Sequence, residues 1–103
     1  MRGRRVYPVE RDGKMWLPSP EYGDYCCYEG EWWVAPPYAL EQEIVTARGK
    51  LDRIGPVWGG IFKHEVEEHE DGTITVSPSI AAETGERRYH GYLRRGEWTA
   101  VGQ

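Results

Sequence analysis

Short runs in which apolar and polar side chains alternate recur along the chain, each broken by a turn that contains glycine. A period of two is the signature of a half-buried strand, and a glycine between two such runs marks a hairpin. Val6–Glu10 and Lys14–Leu17 flank Arg11-Asp12-Gly13. A two-residue loop there sets Arg11 against Lys14, whereas a three-residue loop pairs Glu10 with Lys14, Val9 with Met15 and Tyr7 with Leu17. The longer loop is therefore expected. Around Asp71-Gly72, the loop Glu70-Asp71-Gly72 sets Val66 opposite Val76 and puts Phe62, His64, Val66, Ile74 and Val76 on one side. A slip of one residue turns that face to solvent, so the apolar set selects this register. Near the end, a two-residue turn at Arg95-Gly96 pairs Leu93 with Trp98, Arg94 with Glu97 and Tyr92 with Thr99, although Arg95 must then take a positive φ. Tyr25–Tyr28 and Glu31–Val34 form a further pair around Gly30.

One segment breaks the pattern. Pro36-Pro37 precede Tyr38–Arg48, which has Glu in its first turns, Arg at its end and Gly49 beyond it. This order predicts a short helix near residues 37–48. The β-branched run Ile44-Val45-Thr46 keeps a strand open as the alternative. The expected fold is mainly β, with a small α+β arrangement possible. Antiparallel hairpins would form a compact sheet, small sandwich or barrel, with at most one short helix.

A length of 103 residues has room for one core, so residues 1–103 are read as a single domain. The apolar share of 39% is modest, but thirteen aromatic residues make up for it. Each can bury about 150–250 Å², and Trp and Tyr keep a polar handle for a binding surface. Trp32, Trp33, Tyr92 and Arg94 are the candidate binding residues. No run approaches the roughly 18 apolar residues of a membrane span, and none follows the basic start. A soluble protein without a secretion signal is expected. Residues 1–14 hold five basic and two acidic side chains, and residues 87–103 hold four and one. With a net charge of −4, the stretch between carries −10. That polarity lacks the uniformly basic footprint of a nucleic-acid binder and leaves a protein as the expected partner. Oligomeric state has no sequence signal.

Cys26 and Cys27 are adjacent, so on a strand they point to opposite faces and do not bridge each other. Their placement fits a reducing cytoplasm. Structural zinc draws on pairs spaced about two to four residues apart, a bite that two neighbouring thiols lack. No metal or other cofactor is expected. The acidic run Glu65, Glu67, Glu68, Glu70 and Asp71 lacks the pattern of a calcium loop and reads as a solvated strand edge. Ser79 with His90 is the combination that suggests nucleophilic chemistry, because a serine hydroxyl needs a base within hydrogen-bond reach. Periodicity puts His90 on the side of Tyr92 and Arg94, away from Leu93 and Trp98.

The run Asp71-Gly72-Thr73-Ile74-Thr75-Val76-Ser77-Pro78-Ser79-Ile80, followed by His90-Gly91-Tyr92-Leu93-Arg94-Arg95-Gly96, resembles the back half of a family of small bacterial and phage proteins. That family is known as a domain of unknown function. The likeness covers roughly residues 58–101. Some members are encoded beside ubiquitin-like conjugation genes, and a peptidase role has been suggested for them. The resemblance implies Ser79 as nucleophile and His90 as its base. Glu83, Glu86 and Tyr89 lie in or at the edge of the connection between them and are the candidates to orient the imidazole. The resemblance also implies a protein substrate or a ubiquitin-like partner, in a bacterial cytoplasm or, for a phage gene, a host cytoplasm or virion. Family members carry a Cys-rich segment before the D-G-T strand, and here only Cys26-Cys27 stand, far upstream. The competing expectation is a non-catalytic interaction module, such as a virion accessory protein, that binds through exposed Trp and Tyr.

Overall fold

The computed structural model describes residues 1–38, 44–45, 51–52, 55–84 and 87–102. Among these residues there is no helix. The strands are β1 (Arg4–Arg5), β2 (Val9–Arg11), β3 (Lys14–Trp16), β4 (Asp24–Tyr28), β5 (Glu31–Val34), β6 (Ile44–Val45) and β7 (Leu51–Asp52). They continue as β8 (Gly59–Gly60), β9 (Glu65–Glu68), β10 (Ile74–Ser77), β11 (Ile80–Thr84), β12 (Arg87–Arg94) and β13 (Glu97–Ala100). The mainly β expectation holds. The helix does not hold at Ile44–Val45, which pair antiparallel with Leu51–Asp52. The stiff β-branched residues there suit a strand better than a helical turn. Tyr38 is described and is not helical, and residues 39–43 and 46–48 of that expectation lie outside the described residues.

Three hairpins close with two-residue turns in which both residues have positive φ: Asp12-Gly13, Glu29-Gly30 and Arg95-Gly96. Such turns match the right-handed twist of the strands they join. The first of them corrects the expected register. Val9 lies opposite Trp16, Glu10 opposite Met15 and Arg11 opposite Lys14. Every residue of β2 and β3 is exposed, so water screens the Arg11–Lys14 repulsion and no buried face opposes the short turn. The Gly72 hairpin keeps the expected longer loop, with Val66 opposite Val76. Its face is shorter than expected, because β9 begins at Glu65. Phe62 stands in the preceding turn, 57% exposed, edge-on to Trp33 at 5.0 Å.

The C-terminal hairpin has the expected pairs, Leu93 with Trp98, Arg94 with Glu97 and Tyr92 with Thr99. A left-handed non-glycine residue costs about 1–2 kcal/mol. Arg95 adopts it at φ 45° because β10 grips the turn. The Arg95 N–H donates to Thr75 Oγ1 at 3.0 Å, and the Gly96 N–H donates to the Ile74 carbonyl at 3.0 Å. Two larger sheets result. One has the order β1-β4-β5-β8, with β1 parallel to β4, and the other is β11-β12-β13. The N-terminal segment ties them together. The Gly3 N–H donates to the Gly96 carbonyl (2.7 Å) and the Val6 N–H to the Tyr25 carbonyl (2.9 Å).

The core gathers Tyr25, Val34, Ile61, Ile74, Val76, Ile80, Leu93 and Trp98, all buried, from both larger sheets and from β10. Each large aliphatic member contributes about 1.5–3 kcal/mol by leaving water. Cys26 and Cys27 are both free, the first buried and the second half-buried, as alternation along β4 requires. Burial pushes the Cys26 thiol above its ordinary range. Iodoacetamide at pH 8 is therefore expected to modify Cys27 at least about tenfold faster than Cys26, read by peptide mass spectrometry. Comparable rates would contradict this burial. By linkage, the raised thiol also predicts that stability falls as pH rises past the thiol's unfolded value and through its folded one.

Candidate active site

The register of β11, β12 and β13 sorts their side chains onto two faces. Ile80, Ala82, Arg87, Tyr89, Gly91, Leu93 and Trp98 face inward, while Ala81, Glu83, Arg88, His90, Tyr92, Arg94, Glu97 and Thr99 face out. Ser79 immediately precedes β11 and extends the outer row. It thereby meets His90, its diagonal neighbour across the strand pair. Ser79 Oγ and His90 Nε2 are 2.8 Å apart, and the histidine is exposed. With the ring proton on Nδ1, Nε2 accepts from the hydroxyl, which is the relation a general base needs. A hollow of about 330 Å³ lies beside the histidine, lined by Ala81, Ala82, Glu83, Arg88, Tyr89 and His90.

The three orienting candidates fare differently. Glu83 shares the outer face but pairs with Arg88 Nε at 3.4 Å. Tyr89 points inward, its ring edge-on to Trp98 at 5.6 Å and its hydroxyl buried without a partner. It therefore cannot reach the imidazole of its chain neighbour, since adjacent residues of a strand face opposite ways. Glu86 lies outside the described residues. Among the described residues, no side chain hydrogen-bonds His90 Nδ1.

Of the binding candidates, Tyr92 and Arg94 sit on the same outer face, with the guanidinium 4.2 Å from the ring centroid. Trp32 and Trp33 do not form one patch. Trp32 packs on the core beneath the Arg5 guanidinium, 4.7 Å from its ring, and Trp33 turns to the other side of β5 against Phe62. The exposed aromatic residues are instead Tyr7, Trp16 and Phe62.

The place of His64 on the apolar hairpin face predicts a hydrogen-bonded histidine, but not which group it bonds. Its Nε2 lies 3.1 Å from the Ser79 carbonyl oxygen. A carbonyl only accepts, so Nε2 carries the proton and Nδ1 is left as a buried acceptor without a partner. His64 thus clamps the backbone of the residue whose hydroxyl His90 holds. The sequence signal was its place on one side with Val66, Ile74 and Val76, and nothing in it pointed to Ser79 as the partner. His69 is occupied elsewhere, 2.7 Å from Thr75 Oγ1. Among the described residues, no three His, Cys, Asp or Glu side chains gather as they would around a metal ion.

No helix among the described residues is long and apolar enough to cross a membrane. No family model matches this chain, and neither does any curated protein or any solved structure.

Proposed function

We propose that Ser79 and His90 form a hydrolytic pair that acts on protein, with a ubiquitin-like protein as the substrate class the motif resemblance favours. The observation that carries this reading is the 2.8 Å contact between Ser79 Oγ and His90 Nε2 on an accessible face. In the proposed reaction Oγ attacks a substrate carbonyl carbon as Nε2 takes its proton. The same imidazole then protonates the departing amine, leaving an acyl group on Ser79. Water, deprotonated by His90, releases the carboxylic acid and restores the hydroxyl. The two unbridged cysteines fit a reducing compartment, such as a bacterial cytoplasm or, for a phage protein, the host's.

The test is labelling by a fluorophosphonate. Wild-type protein should be modified at Ser79, and both Ser79→Ala and His90→Ala should abolish the labelling. The alanine at 79 should change stability by under about 0.5 kcal/mol, as for a surface site. Labelling that persists in Ser79→Ala, or is absent from the wild type, would remove the hydrolase. A second reading then leads, a non-catalytic interaction module, which the exposure of Tyr7, Trp16 and Phe62 favours.

A further inference from the structure

Among the described residues, the outer strand of the C-terminal sheet leaves backbone groups unpaired on the strand that follows Ser79. The two-residue turn at Arg95-Gly96 makes Arg94 and Glu97 a hydrogen-bonded pair, so Tyr92 and His90 also bond toward β13. The Val101 N–H accordingly donates to the His90 carbonyl at 2.9 Å. Gly91, Tyr89 and Arg87 must then bond toward β11, where their partners are Ile80, Ala82 and Thr84. The N–H and C=O groups of Ala81 and Glu83 point the other way. Among the described residues, β11 is an edge strand.

That edge opens onto a groove of about 350 Å³. Across it runs β8, the edge of the other large sheet, whose two glycines put no side chain into the space. Apolar residues line it, among them Val34, Tyr38, Trp58, Ile61 and Ile80. The groove therefore offers alternating backbone donors and acceptors beside an apolar wall, which is the complement of an extended polypeptide. A compact small molecule would leave the spaced edge groups unmatched. His64 adds a stop, because it already occupies the Ser79 carbonyl. An incoming strand can pair with Ala81 and Glu83 and then runs out at the Ser79 backbone.

We propose that the substrate is an extended stretch of polypeptide, bound as an added strand on the free edge of β11 in the groove facing Gly59–Gly60. The word substrate rests on the hydrolase reading of Ser79 and His90, whereas the strand addition is testable without it. A Cβ on Gly59 would meet only the Val34 carbonyl oxygen, at 3.9 Å, so Gly59→Leu should fold and fill the groove.

The experiment pans displayed random peptides of about ten residues, longer than a typical strand, on the full-length Ser79→Ala protein. Counter-selection uses Ser79→Ala carrying Gly59→Leu, with folding of both checked by circular dichroism. Synthetic copies of the enriched peptides should slow amide exchange at Ala81 and Glu83 by about tenfold or more. Methylating alternate peptide nitrogens in the pairing register should abolish that protection. Failure to enrich any peptide over the Gly59→Leu protein, or unchanged exchange at both amides, overturns strand addition. Fluorophosphonate labelling of the wild type reports separately. Protected amides without labelling sustain the edge and remove the hydrolase, whereas labelling without protection does the reverse.

Discussion

Trp98→Ala is expected to cost about 3–5 kcal/mol, the usual range for emptying a buried tryptophan site. That is a large part of the roughly 5–15 kcal/mol that holds a domain folded. Trp98 is 2% exposed, faces Leu93 across β12–β13 and takes the edge of Tyr89. Its indole N–H donates to the Gly23 carbonyl at 2.9 Å, the point where the C-terminal sheet meets the segment leading into β4. Alanine therefore opens a cavity and also orphans a buried acceptor. Trp98→Phe fills most of the cavity and should recover all but the hydrogen-bond share, about 1–3 kcal/mol. Chemical denaturation followed by far-UV circular dichroism measures both. A loss below about 1 kcal/mol for the alanine, a typical value for an average substitution, would contradict the role given to Trp98.

Gly91→Ala should be the most damaging single methyl group on β12. A Cβ at 91 would stand 2.6 Å from the Thr99 carbonyl oxygen and would overlap the Tyr89 hydroxyl. The first neighbour is backbone in the β12–β13 ladder and cannot yield without breaking register. Overpacking of this kind costs about 1–3 kcal/mol. The Tyr89 hydroxyl is the other neighbour, buried and without a partner. Tyr89→Phe alone should thus be neutral or slightly stabilising, since it removes an unsatisfied group. In the double variant it should return part of the Gly91→Ala loss, and thermal melts of the four proteins give that coupling directly. Strict additivity would mean that the methyl group does not meet Tyr89. Because His90 lies between these two residues, Gly91→Ala should also disturb the contact with Ser79.

Much of this arrangement was legible beforehand where a buried face was at stake. Val66 opposite Val76 and Leu93 opposite Trp98 follow from the cost of turning apolar residues to water, which a one-residue slip imposes on a whole strand. The same alternation put His90, Tyr92 and Arg94 on one accessible side. The reasoning failed where no face was buried. On β2 and β3 the exposed Arg11–Lys14 pair carried too little energy to outweigh the preference of Asp12-Gly13 for a two-residue turn. At Ile44–Val45 the helix expectation likewise lost to the strand preference of β-branched residues.

Local pattern by itself determined the strand-rich class, two of the three hairpin registers argued from it and the side of the sheet on which the candidate residues lie. These depend on side-chain period and turn chemistry, which act over a few neighbouring residues. Tertiary structure alone decided which distant segments meet. It set His64 on the Ser79 carbonyl across 15 positions of sequence and the Trp98 indole on the Gly23 carbonyl across 75. It also left the β11 edge facing β8 across a groove. No period encodes such contacts, because they arise from how whole sheets pack to bury a shared core.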